Sequence, residues 1–255
     1  MMHPWLAAAL LAGSLAVPGT ALGAEASDPA PEGEQTIRSA PDTASYRLFV
    51  PRGYAAMPAQ QWPLLIFLHD RDEPGDDADR LAHAGPAAFL AAHRGLPLFV
   101  VSPRADGTGG AWDLGRLERL LTHLRSTYRI DPARIYLSGA GAGGRATWTW
   151  MMERPRLFAA GTPVGGHDVV TADEGLERIC LLKDVPIRAS AIETPLIAGE
   201  GILKAMSAQA RCPGGTRPAR LEVSNDKRLS VRKSAIYNRP DWWLWLLEQR
   251  RPTTE

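Results

Sequence analysis

Short runs of apolar residues recur along the chain and alternate with amphipathic segments. The unbroken runs, which are typical of strands covered on both faces, are Leu64–Leu68, Leu98–Val101 and Ile135–Leu137. Tyr46, Leu48 and Val50 lie at alternate positions instead, which predicts a half-buried edge strand. Apolar spacings of three and four predict helices over Asp79–His93, Leu114–Tyr128 and Arg145–Met152. This alternation predicts an α/β fold with a mostly parallel central sheet and helices on both faces.

Length and charge narrow the classes of function. A chain of 255 residues with 45% hydrophobic residues suits one globular domain with a sizeable core. The net charge is +1, from 29 basic and 28 acidic residues, so no long-range field draws the chain to nucleic acid or to an anionic membrane. We therefore expect a small-molecule or carbohydrate ligand, or a protein partner.

The N-terminal segment carries the features of a secretory signal. An apolar run over Leu6–Val17 is stopped by Pro18 and followed by the small residues of Ala21–Ala24, and it is too short to span a bilayer. We expect a signal peptide over residues 1–23, a flexible leader over 24–44 and one domain over 45–251, in a secreted or periplasmic protein. The leader prediction depends on its Pro-, Ala-, Glu- and Ser-rich composition, which has no periodicity.

Two cysteines, Cys180 and Cys212, lie in the second half of the chain. An oxidising compartment allows them to form a disulfide, with Cys180 before a strand at Pro186 and Cys212 at the end of the following helix. Two free buried thiols are the alternative.

Five segments, in order, resemble one enzyme family. They are Trp62–Asp70, Glu73 with Gly75–Asp77, Tyr128–Leu137, Asp184–Ile187, and Ile236–Pro240 with Trp245–Leu247. They are similar to the oxyanion strand and its acidic loop, the nucleophile strand, the strand leading to the catalytic acid, and the last helix of secreted α/β-hydrolases. Within this family, the segments resemble the branch that contains polyhydroxybutyrate-depolymerase-like, feruloyl-esterase-like and predicted-peptidase proteins. The resemblance covers about residues 45–251 and implies the α/β-hydrolase fold.

The residues that would catalyse ester hydrolysis are missing from this pattern. Gly141 stands at the serine of the G-x-S-x-G turn, and Ser230 stands at the position of the histidine base. The acid loop is reduced to a stretch that contains Glu193, and Asp70 replaces the first glycine of the oxyanion loop. The strand-to-helix turn that carries the nucleophile, here called the elbow, has a strained backbone. Glycine relieves this strain, so it is the residue that stability alone favours at the elbow once the hydroxyl is not needed. The sequence thus predicts a degenerate catalytic triad.

Two functions of different classes remain open. The first is a pseudohydrolase that binds a ligand or partner at the former active-site mouth. The second is a carboxylic ester hydrolase with a relocated nucleophile, for which Ser138 and Thr147 are the nearest hydroxyls, or with a metal-assisted site. The metal would need His69 and His167 with their acidic neighbours as ligands. The acidic loop over Asp70–Asp79 is better interpreted as a solvated turn than as a calcium site. We expect neither a metal nor another cofactor.

Ligands of parallel sheets bind beyond the carboxyl ends of the strands. The residues that we expect at this edge, and to which we assign binding, are His69, Asp70, Trp112, Gly141, Ala142, His167 and Asp168. No catalytic residue is assigned.

Overall fold

The computed structural model describes residues 30–43, 45–70, 85–105, 112–166, 169, 178–192, 211–215, 220–224 and 233–252. Eight strands lie in this part of the chain: β1 Gln35–Arg38, β2 Tyr46–Phe49, β3 Trp62–Leu68, β4 Phe99–Pro103, β5 Ile130–Ala140, β6 Ala160–Val164, β7 Arg188–Ile192 and β8 Arg220–Ser224. They form one sheet in the order β1-β2-β4-β3-β5-β6-β7-β8. The pairs β1·β2 and β2·β4 are antiparallel and all others are parallel. The predicted mostly parallel sheet is confirmed.

Helices cover both faces of this sheet. In the described residues they are α1 Pro86–Ala92, α2 Leu114–Thr127, α3 Ala142–Glu153 and α4 Pro240–Glu248, with 3-10 helices at Ile179–Leu182 and Lys233–Asn238. One core cluster joins the inward residues of α2 and α3 to one face of β3, and a second joins those of α1 and α4 to the other face. Strand β3 is buried along its whole length, as its unbroken apolar run predicts.

The folded region begins earlier than the predicted leader boundary. Strand β1 lies within the segment 24–44 and pairs with β2, so part of the proposed flexible leader belongs to the sheet. Upstream of it, the carboxylate of Glu32 accepts hydrogen bonds from the amides of Gly53 at 2.7 Å and Ala55 at 2.6 Å. A four-residue edge strand with little buried surface has almost no hydrophobic pattern, which is why composition misassigned it.

Cys180 and Cys212 form a disulfide, with their Cα atoms 5.4 Å apart. The predicted pairing is confirmed, whereas the helix expected before Cys212 lies outside the described residues. The sequence separation is 32, and a closed loop of this length stabilises a fold by about 3–4 kcal/mol in the chain-entropy estimate.

The proposed signal peptide over residues 1–23 also lies outside the described residues. Within the part of the chain that the structure describes, no helix is both long enough and apolar enough to cross a membrane.

Candidate functional site

Gly141 forms the turn between the end of β5 at Ala140 and the start of α3 at Ala142. Its backbone angles, φ 53° and ψ −112°, lie in a region that residues with a Cβ rarely adopt. The strand-to-helix elbow predicted from the sequence is therefore confirmed, and glycine removes the strain that a serine at this position would carry.

The side chain of Asp70 fills the position from which an elbow side chain would project. An ideal Cβ on Gly141 would lie 2.2 Å from Cγ and from both carboxylate oxygens of Asp70. The Ala142 amide donates a hydrogen bond to Oδ1 of Asp70 at 2.9 Å, and Asp70 is only 6% exposed. In hydrolases with this turn, the amide after the nucleophile is an oxyanion donor. Here the Asp70 carboxylate of the same chain already accepts the hydrogen bond from that amide.

His69 fixes the loop that presents Asp70. Its Nδ1 donates to the carbonyl oxygen of Asp70 at 2.8 Å, and its Nε2 accepts from the Ala105 amide at 3.2 Å. Trp112 donates from Nε1 to the His69 carbonyl at 3.3 Å and places its ring edge-on against the imidazole, with centroids 4.9 Å apart. Burial lowers the pKa of His69 to about 4, so the ring is neutral at pH 7.

Both nitrogens of His69 are thus engaged within the protein. A metal bound at His69 would have to displace one of these two hydrogen bonds. The other proposed members of such a site, His167 and Asp168, lie outside the described residues. Where side chains are described, no group of three His, Cys, Asp or Glu residues is arranged to hold a metal ion.

The two candidate replacement nucleophiles are buried. Ser138 donates from Oγ to the Thr162 carbonyl at 2.9 Å and hydrogen-bonds the hydroxyl of Tyr237 at 2.8 Å. Thr147 donates from Oγ1 to the Gly143 carbonyl one helical turn earlier at 2.8 Å. Each hydroxyl is therefore fixed inside the fold.

The structure brings together five of the seven proposed binding residues. Trp112, Gly141 and Ala142 are half-buried and reach the surface, whereas His69 and Asp70 lie beneath them and are 2% and 6% exposed. Ser230 and Glu193, the positions of the missing base and acid, lie outside the described residues.

Sequence reasoning missed two contributions to this region. The Ala105 amide, which binds His69, is a backbone group and leaves no signal in residue type. A shallow groove also opens beside the half-buried Trp112 ring. It is lined by Pro103, Arg104, Trp112, Asp113, Arg116, Leu117 and Leu120.

Comparisons with known proteins agree with this fold. A bifunctional acetylxylan esterase/xylanase of Neocallimastix patriciarum is 28% identical in an alignment over 158 residues that covers 59% of this chain and 22% of that protein. The crystal structure of a thermostable esterase is 26% identical, with a TM-score of 0.59, over 86% of this chain and 63% of the other. A fluorophosphonate-binding serine hydrolase of Staphylococcus aureus has a TM-score of 0.61 at 10% identity, over 85% of this chain and 98% of its own.

The chain therefore has the α/β-hydrolase fold, and its structural neighbours are esterases and serine hydrolases. It spans about a fifth of the length of the curated relative and less than two thirds of the thermostable esterase. No family model matches the sequence.

Proposed function

We propose that this protein is a secreted or periplasmic pseudohydrolase, an α/β-hydrolase-fold protein without hydrolytic activity that binds a ligand at the former active-site mouth. One observation carries the proposal: the nucleophile position is Gly141, and the Asp70 carboxylate lies where a nucleophile side chain would begin.

This arrangement opposes each step of ester hydrolysis. An acyl-enzyme requires a hydroxyl or thiol at the elbow, and glycine has neither. An oxyanion requires donors that are free to bind it, but the Ala142 amide already binds Asp70. The carboxylate also places a negative charge where the transition state develops one. The serine that the sequence places at the base position, Ser230, cannot accept a proton near neutral pH.

The proposed ligand-contacting surface is formed by Trp112, Gly141 and Ala142, with His167 and Asp168 as further members and with His69 and Asp70 as support beneath. A carbohydrate suits a protein of nearly zero net charge with a half-buried indole at the site. The name of the curated relative, an acetylxylan esterase/xylanase, points in the same direction. Secretion is supported by the disulfide and by the apolar run before residue 23.

The second candidate is an active ester hydrolase, which the similarity to esterases supports. It requires a nucleophile other than the elbow residue. The buried, hydrogen-bonded hydroxyls of Ser138 and Thr147 weigh against it.

Two measurements on the full chain test the proposal. Turnover of a short acyl ester, run beside an active esterase, should stay at background, and turnover that is lost on replacing Ser138 or Thr147 would contradict the proposal. Titration with xylo-oligosaccharides should give saturable binding that Trp112→Ala removes. Trp245→Ala, which truncates another half-buried tryptophan on α4, should leave binding unchanged. Absence of binding to the unmodified chain would contradict a carbohydrate ligand of this type.

A further inference from the structure

We propose that the elbow is a carboxylate-binding site that Asp70 occupies from within the chain. A variant without this carboxylate should then bind a small monocarboxylate such as formate from solution at the same place. The inference depends on the elbow geometry alone and holds whether or not the mouth binds a carbohydrate.

Asp70 fits closely against Gly141. The three carboxylate atoms Cγ, Oδ1 and Oδ2 are equidistant, at 2.2 Å, from the position of an ideal Cβ on residue 141. The carboxylate therefore occupies the volume of the absent side chain. Asp70 and Gly141 act as one unit, since a larger residue at 141 and the carboxylate cannot share this space.

A backbone donor faces the Asp70 carboxylate. The Ala142 amide, in the first turn of the 12-residue helix α3, donates to Oδ1 at 2.9 Å. The amide of Gly141 is already used, because it donates to the Val164 carbonyl at 2.9 Å. The positive end of the helix dipole adds to the attraction for an anion. The Asp70 carboxylate is thus buried at the helix terminus, and it accepts a short hydrogen bond there.

The hydrogen bonds of His69 and Trp112 beside the site do not involve the Asp70 side chain. His69 bonds to the backbone carbonyl of Asp70, and its other contacts are to the Ala105 amide and to Trp112. Asp70→Ala keeps all of these groups. It removes only the carboxylate, and so leaves a buried donor without its partner and a space of carboxylate size.

Formate has the shape and charge of the group removed. It carries the same two oxygens on one carbon and accepts the same hydrogen bond. A ligand that binds the folded state alone raises the melting temperature by mass action. At ten times its Kd, the expected rise is about 3–6 °C for a chain of this size.

The test is thermal unfolding of the full chain in sodium formate and in sodium chloride of equal ionic strength. Asp70→Ala should show a saturable, formate-specific rise of this size, and the unmodified chain should show none. Asp70→Asn fills the site with an amide of the same shape and should also show none. Asp113→Ala is the matched control, because it removes an exposed carboxylate that accepts from the Arg116 amide at 3.1 Å and leaves no enclosed space.

Asp70→Ser, whose side chain is one heavy atom beyond Cβ, provides a second opened site and should respond as Asp70→Ala does. If neither variant folds in chloride, refolding in formate should recover the folded state. The proposal is wrong if folded Asp70→Ala and Asp70→Ser respond equally to formate and chloride. It is equally wrong if Asp70→Asn or Asp113→Ala shows the same formate response, or if formate fails to recover variants that chloride leaves unfolded.

Discussion

Gly141→Ser places a hydroxymethyl group at the position where a hydrolase carries its nucleophile. The substitution should leave the protein inactive and strongly destabilised. Two separate effects act on the folded state, and both can be estimated from the geometry at residue 141.

The first effect is backbone strain, because a non-glycine residue held at φ 53° and ψ −112° costs about 1–3 kcal/mol. The second is displacement of Asp70, since a Cβ at 2.2 Å from its carboxylate is closer than real atoms approach. Moving the carboxylate breaks the charge-assisted hydrogen bond to the Ala142 amide, which contributes about 1.5–3 kcal/mol. Together they predict a loss of roughly 3–6 kcal/mol, or a fall of about 6–24 °C in melting temperature.

Urea unfolding followed by tryptophan fluorescence measures this loss. Gly95→Ser is the control, because Gly95 is exposed and an ideal Cβ there meets no atom within 4 Å. The control should change stability by less than about 0.5 kcal/mol. If Gly141→Ser is as stable as the control, residue 141 is not in a strained turn against Asp70 and the site has been misinterpreted. Esterase activity in Gly141→Ser would reveal a base that the account does not contain.

Three further results are expected. Between pH 6.5 and about 4, His69 binds a proton in the unfolded chain but not in the folded one, so the free energy of unfolding should fall by about 3 kcal/mol as the pH falls through this range. His69→Gln should make stability less dependent on pH in this range, as measured by unfolding at a series of pH values. An unchanged pH dependence would contradict a buried neutral imidazole. Thiol titration of the denatured, non-reduced protein should find no free thiol, and two titratable thiols would disprove the disulfide. The double variant Cys180→Ser with Cys212→Ser should lower the free energy of unfolding by about 3–4 kcal/mol. Gly141→Ser combined with Asp70→Gly and Ser230→His should give at most feeble esterase activity, because the sequence keeps only a reduced acid loop around Glu193 to orient the new histidine. Activity near that of an esterase would show that an acid is present.

Sequence patterning predicted the fold well where its signals are strong. The unbroken apolar run of β3 requires a strand covered on both faces, and the helical spacing over 114–128 matches α2 within one residue. The resemblance to the G-x-S-x-G turn predicted an elbow at Gly141, and glycine suits the positive φ found there. Strand β1 escaped prediction because its exposed edge position does not require apolar residues.

The sequence predicted less of the site. It placed a negative charge at Asp70 close to the oxyanion loop, but not that the carboxylate points into the elbow and bonds the Ala142 amide. That contact joins residues 72 positions apart and depends on side-chain direction, which no local pattern encodes. The same limit applies to His69, whose two ring nitrogens are satisfied by backbone groups of Asp70 and Ala105.

The central claim is that no nucleophile is available at the elbow. Intact-mass spectrometry after incubation with a fluorophosphonate probe tests it most directly, with an active serine hydrolase treated in parallel. The account predicts that the hydrolase gains the mass of one phosphonyl group while this protein keeps its unmodified mass. Stoichiometric labelling that disappears on replacing Ser138 or Thr147 would contradict it.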